Sequence, residues 1–320
     1  MAQPDTIDQP CFADRVSAVT QWPGTVGEPV PPSAARASVA PGCTPAQTQR
    51  LGPGLRPWIE RHVASPLTAL LRGAAGRRQE EPGRGAVVLA LGFGQGPLAL
   101  DGLDVLPTQW APRILLQGLS NTPELLDRQR SLYSDHDGLL TALRLRGRVR
   151  RTWGRVAVSW GDPRRSVVRL RGSVDLVLLE PDRPETCPPL YSLDFLRCAV
   201  RLMGPGAVLV AACASPLLDG ALLRLGLVVG HVVDATLPQG GTVASLTAAG
   251  VRVALPPAER HRALESVAGI AYRDPHLNWT PQHILQYHAS LTERMRRRGM
   301  PSPLTNLDEA AALSPAEDAP

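Results

Sequence analysis

The chain is 320 residues long, 43% hydrophobic but only 4% aromatic, and carries a net charge of +5. That length and apolar share suit one large core-bearing domain with extensions, or two small ones, and exclude a fibrous or wholly disordered chain. No apolar stretch reaches the roughly 18 residues of a membrane span and no charged-then-apolar leader opens the sequence, so a cytoplasmic protein with no membrane partner is expected.

Residues 1–50 are rich in Pro, Ala, Gln and Thr without a period, the composition of a disordered segment. A helix is expected from Pro57 to Leu71, with Ile59, Val63 and Leu67 on one face, and 79–84 reads as a linker. The ordered core opens at Ala86–Leu91, an apolar run of strand length followed at once by Gly92-Phe93-Gly94-Gln95-Gly96. A glycine turn at the carboxyl end of a strand lets backbone approach a cofactor, although the same pattern also makes a plain tight turn. A second strand is expected over Arg113–Gln117, then a helix capped by Thr122 that runs to Leu132, then another from Asp137 to Leu145.

Here the charge becomes uneven. All 34 basic residues are arginine, and ten of them lie between Arg144 and Arg171, opposed only by Asp162. Arg294, Arg296, Arg297 and Arg298 form a second cluster. Both suit either a phosphate-backbone footprint or a solvated charged face. A third strand, Arg155–Trp160, runs through the first cluster and ends in Gly161-Asp162. Trp153 and Trp160 beside it have rings that stack on bases or fill a core.

The stretch from Val174 to Val210 organises the rest. Val174–Leu179 is apolar except for Asp175, as expected of a strand buried on both faces of a parallel sheet. It ends at Glu180, and the prolines that follow forbid a helix. Ser192 then caps a helix with Leu193, Leu196, Val200 and Met203 at helical spacing, stopped by Gly204-Pro205-Gly206 ahead of a strand over Ala207–Ala212. A strand-helix-strand crossover with a carboxylate at the end of its first strand is where doubly wound sheets bind ligands. A helix at Pro216–Leu225, a strand at Leu227–Val233 and a strand at Thr242–Leu246 after a Gly240-Gly241 turn complete a seven-stranded α/β sheet. Pro256–Val267 and Pro281–Arg298 read as helices separated by a polar, aromatic-bearing loop. The expected domains are thus 1–50, a sheet domain over 51–250, a C-terminal helical extension over 251–300 and a loose tail over 301–320. Cys11, Cys43, Cys187, Cys198 and Cys213 lack CxxC or Cys/His spacing, and His276, His283 and His288 lack a partner set, so no metal site is expected.

Three of these stretches resemble one family. LGFGQGPLAL at 91–100, VDLVLLEPDRPETCPPLYSLDFL at 174–196, and GGTVAS at 240–245 with AGIAYRDPHL at 268–277 are similar to the methyltransferase domain of MnmC, the bifunctional tRNA wobble-uridine enzyme, and especially to its stand-alone branch. The second match holds Asp175, Pro184, Pro188, Leu190, Tyr191 and Phe195 in register. The resemblance implies a Rossmann-like class I methyltransferase fold, S-adenosylmethionine as cofactor, no FAD, tRNA as partner, and methylation of the exocyclic amine of 5-aminomethyl-2-thiouridine. It assigns Gly92, Phe93, Gly94, Gly96, Gln117, Gly161 and Asp162 to the cofactor, and Glu180, Asp182 and Tyr191 to the acceptor side. The sequence departs from the family pattern at Ala90 or Leu91, Gln117 and Glu180, where acids or a shorter acid are usual. An amide at Gln117 bonds ribose hydroxyls less strongly than a carboxylate, so cofactor affinity about ten-fold weaker is expected. Two alternatives stay open: a degenerate member that binds RNA or protein without turnover, and a spermidine-synthase-like small-molecule transferase. The oligomeric state is left open.

Overall fold

The computed structural model describes residues 86–93, 113–118, 137–151, 154–171, 173–180, 183–234 and 237–301. The expectations for 1–50, for the helices at 57–71 and 122–132, for Gly94, Gly96, Trp153 and Asp182, and for the tail beyond 301 lie outside these residues.

Eight strands form one sheet: β1 (Val87–Phe93), β2 (Arg113–Gly118), β3 (Arg148–Arg151), β4 (Gly154–Trp160), β5 (Val174–Leu179), β6 (Met203–Ala211), β7 (Val228–Asp234) and β8 (Leu237–Ser245), in the order β3-β4-β2-β1-β5-β6-β8-β7. The five central strands, from β4 to β6 in that order, run parallel, and β8 is antiparallel to both β6 and β7. The expectation of seven strands is therefore corrected to eight. The addition, β3, pairs antiparallel with β4 at the edge of the sheet. Gly147 makes it possible: at φ 64 it turns the chain sharply after helix α1 (Asp137–Arg146). Four residues, three of them arginine, carry no apolar signal, yet exposed charged residues suit an edge strand that must not template another chain.

Burial explains the central strands. Every residue of β5 is buried, as are all of β1 beyond Val87. Asp175, the polar exception within β5, accepts the Val87 N–H at 2.9 Å and so ties the start of one central strand to the next. Several boundaries differ from expectation: Gly92 and Phe93, expected in the turn, belong to β1, and Met203, expected in the helix, opens β6. Gly204-Pro205-Gly206 lies inside β6, opposite a register shift between Val174 and Leu176, and Gly240-Gly241 lies inside β8. Both runs continue a ladder through an irregularity, which extra residues in one strand permit.

Helices α2 (Pro163–Val167), α3 (Leu193–Arg201) and α4 (Pro216–Arg224) follow β4, the 3-10 turn Pro188–Tyr191 and β6. Ser192 caps α3 by accepting the Phe195 N–H at 3.2 Å, and Phe195, Leu196 and Ala199 turn inward to the core. Helices α5 (Pro257–Glu265) and α6 (Pro281–Arg297) follow the sheet, joined by a strap that pairs with the turn before α3 through the Ser192–Tyr272 bridge. Among the described residues no helix is long and apolar enough to cross a membrane.

Candidate functional site

The strand order creates a switch point. From β1 the chain moves to β2 and β4 on one side and then returns to β5 on the other, so the carboxyl ends of β1 and β5 adjoin at the switch point, where doubly wound sheets form a ligand crevice. Gly92 and Phe93 end β1 there, and Glu180 directly follows β5. The Glu180 N–H donates to the Leu91 carbonyl at 2.9 Å, one step beyond the regular pairing, and its side chain is fully buried. Gly92 adopts φ 80, a left-handed conformation that a side chain would oppose, which bends the chain away at the end of the strand. Gln117 is the penultimate residue of β2 and pairs in register with Leu91, so the backbone brings it to the same end of the sheet.

Tyr191 is fully buried at the end of the 3-10 turn that precedes α3. Its hydroxyl lies 3.5 Å from Cys213 Sγ, just past the carboxyl end of β6. The Cys213 carbonyl in turn accepts a bond from Thr242 of β8 at 2.9 Å. Glu180 and Tyr191 are therefore both carried to the carboxyl edge of the parallel strands, by the strand and by the proline-rich turn respectively.

Gly161 and Asp162 lie between β4 and α2. The Asp162 carboxylate is the N-cap of α2, accepting the Arg164 N–H at 3.0 Å, and it takes three further bonds from two guanidinium nitrogens of Arg164, the shortest at 2.7 Å. Arg164 was the surprise of the basic run. It is 5% exposed and reaches across the fold to Asp274 at 2.6 Å and to the Trp279 carbonyl at 2.8 Å. Burial disfavours its charge, but the two carboxylates more than offset that and hold its pKa above the ordinary value. Reading the whole run as a phosphate footprint is thus corrected at Arg164, whereas Arg146, Arg148, Arg150, Arg155, Arg165, Arg169 and Arg171 are exposed.

Arg164 is one end of a larger clamp on the strap. Asp274, wholly buried, accepts the N–H groups of Asn278 and Trp279 at 3.0 Å each. Its own N–H donates to Asp194 of α3 at 2.8 Å, and Asp194 also receives Arg273 at 3.0 Å. Burial pushes the Asp194 carboxyl up, but Arg273 and the Asp274 N–H overcome it and hold it below the ordinary carboxylate value. The Asp-Pro pair at 162–163 is a readable helix start; no local pattern signals a partner 110 residues away.

A second cluster joins α4, β7, β8 and α5. His231 bonds Asp219 at 2.7 Å on one ring nitrogen and approaches Glu259 at 3.2 Å on the other, and Thr242 donates to Asp219 at 3.3 Å. Burial lowers the His231 pKa, but the two carboxylates outweigh it and raise it above the ordinary value. Burial pushes Asp219 up, and the bond from His231 offsets only part of that. His288 is half-buried: it bonds the Ile270 carbonyl at 2.9 Å and meets the Tyr272 ring edge-on. Among the described residues no group of acids, histidines and cysteines could hold a metal ion.

No family model matches the sequence, and neither does any curated protein. Among solved structures, MNMC2 from Aquifex aeolicus aligns over 73% of this chain and 73% of its own, with 21% identity and a TM-score of 0.57. The two share a fold. Spermidine synthase from Thermotoga maritima aligns over 52% of this chain and 55% of its own, with 15% identity, but its TM-score of 0.36 is too low to equate the folds.

Proposed function

We propose that this protein is an S-adenosylmethionine-dependent methyltransferase that methylates the aminomethyl group of a wobble uridine in tRNA, converting 5-aminomethyl-2-thiouridine to 5-methylaminomethyl-2-thiouridine. The observation that carries the reading is the fully buried carboxyl group of Glu180 at the switch point, beside the glycine turn that ends β1. The fold shared with MNMC2 and the in-register match over 174–196 support it.

The residues at the crevice fit the cofactor. Gly92 allows a close approach of backbone to a bulky nucleoside, and buried Phe93 gives it an apolar neighbour. When bound, S-adenosylmethionine supplies an electrophilic methyl carbon. The chain's own task is then alignment of the amine and removal of its proton. Glu180 orients the amine and accepts that proton, Tyr191 closes the apolar wall on the acceptor side, and Asp182 is a second acidic group of the same loop. Asp162 acts on the cofactor side together with Arg164, whose guanidinium fixes the orientation of its carboxylate.

The test is calorimetric titration with S-adenosylmethionine and S-adenosylhomocysteine, followed by transfer of a labelled methyl group to undermodified tRNA. Glu180→Gln, which keeps the volume, should spare cofactor binding and slow transfer by about 10²–10⁴-fold. No detectable binding at millimolar cofactor would overturn the proposal in favour of a member that holds RNA or protein without turnover. Ala90 and Leu91, both fully buried and apolar where the family carries an acid, favour that second reading.

A further inference from the structure

The strap clamped by Arg164 and Asp194 presents an aromatic surface that the proposed chemistry does not use. Trp279 is held at both ends of its peptide unit: its N–H donates to buried Asp274, and its carbonyl accepts from buried Arg164. Trp279 is half-buried and packs against the core, and its ring lies parallel to that of exposed His283, with centroids 4.3 Å apart and an interplanar angle of 2°. Tyr287, 36% exposed, meets the same indole edge-on at 5.3 Å. A half-buried tryptophan fixed by two buried ionic groups is a preorganised platform, since little ordering remains when a flat ligand stacks on it.

The same face of α6 is basic further along. His283, Tyr287, Arg294 and Arg298 are separated by four, seven and four residues, which keeps them on one stripe of a helix. At about 1.5 Å per residue the stripe runs roughly 22 Å from His283 to Arg298. Arg296 and Arg297 both pair with Glu293, at 2.7 and 2.9 Å, and share its single charge. Arg294 and Arg298 form no ion pair among the described residues, and both are exposed. Stacked rings followed by unneutralised guanidiniums complement a ligand with flat heterocycles strung on an anionic backbone.

We propose that Trp279, His283, Tyr287, Arg294 and Arg298 form a binding strip for single-stranded RNA, with bases on the rings and phosphates on the arginines. This names the surface by which the substrate of the proposed reaction is gripped, and rests on that reading only for its biological purpose. Because Arg164 bonds both Asp162 at the carboxyl end of β4 and the backbone of Trp279, the strip is tied to the same edge of the sheet.

The experiment is fluorescence anisotropy of a labelled, unstructured twelve-nucleotide RNA titrated with the full-length protein at several salt concentrations, without cofactor. His283→Ala with Tyr287→Ala should weaken binding about ten-fold or more at every salt concentration and leave the salt dependence unchanged, while Tyr287→Phe retains it. Arg294→Gln with Arg298→Gln should flatten the slope of log K against log salt by about 1.4, or roughly 0.7 for each phosphate lost. Arg148→Gln with Arg150→Gln, on edge strand β3, is the control and should change less than either. All four target side chains on α6 are exposed, so the variants keep the fold, which thermal unfolding verifies. Affinity unchanged in both α6 double variants, or no RNA binding by the wild type at low salt, overturns the strip. The outcome is independent of the methyltransferase reading: RNA binding without cofactor binding sinks that reading alone, and cofactor binding with an inert strip sinks this one alone.

Discussion

The segment from Glu180 to Met203 and the strap from Ser266 to Trp279 meet at the Ser192–Tyr272 bridge, yet they are held by different forces. The first is fastened by apolar side chains, with Leu190, Tyr191, Phe195, Leu196 and Ala199 all without exposure. Such burial is non-directional and scales with area. The second is fastened by Arg164, Asp194, Arg273 and Asp274, whose bonds are short, directional and partly withdrawn from water. The contrast teaches that neighbouring segments of one fold can rest on a tolerant core on one side and an exacting ionic clamp on the other. An apolar contact degrades gradually when volume is lost, whereas a buried charge left without its partner is penalised at once.

The largest effect that would break this comparison is expected from Arg164→Met. It leaves Asp274 buried with its cation gone, and should lower stability by about 3–5 kcal/mol in urea unfolding. A loss below about 1 kcal/mol would mean that the strap is held by its apolar contacts instead. On the other side, Leu196→Ala should cost about 2–5 kcal/mol, but Leu196→Met, which conserves volume, less than about 1.5 kcal/mol. If both substitutions at Leu196 are equally damaging, the supposed tolerance of that face is absent.

A smaller effect, on the order of 1 kcal/mol on each limb, is expected in the pH dependence of stability. Asp194 has a folded pKa below its ordinary 3.8, so its contribution is present above 3.8 and disappears as pH falls through the lowered value. His231 has a folded pKa above its ordinary 6.5, so its contribution is complete below 6.5 and disappears as pH rises through the raised value. The strap should therefore loosen in acid, and the junction of α4, β7 and α5 in mild alkali. Unfolding curves across pH should show Asp194→Asn flattening only the acid limb and His231→Gln only the alkaline one. A shared change in both limbs would contradict the separation of the two clamps.

Much of the fold was legible because it is written in short windows. The β-branched runs at 87–93 and 174–179, the Ser192 cap and the helical spacing from Leu193 to Val200 each depend on residues within a few positions of one another. The placement of Glu180 was legible for the same reason: an acid directly after one buried strand and a glycine near the end of its neighbour come to the same carboxyl edge once the sheet is parallel. Strand β3 was missed because its three arginines hide a strand that exists only through pairing with β4.

By itself, then, the sequence determined the parallel core and the position of Glu180 directly after β5, since backbone preference and periodic burial are local properties. Only the tertiary structure decided that Arg164, among the described arginines of the run, would leave water. Arg164 and its neighbour Arg165 are the same residue type one position apart; one is buried between Asp162 and Asp274 and the other is exposed. The difference arises from what the folded chain delivers to one face of α2, because a charge can be buried only where distant parts of the chain supply its counter-ions.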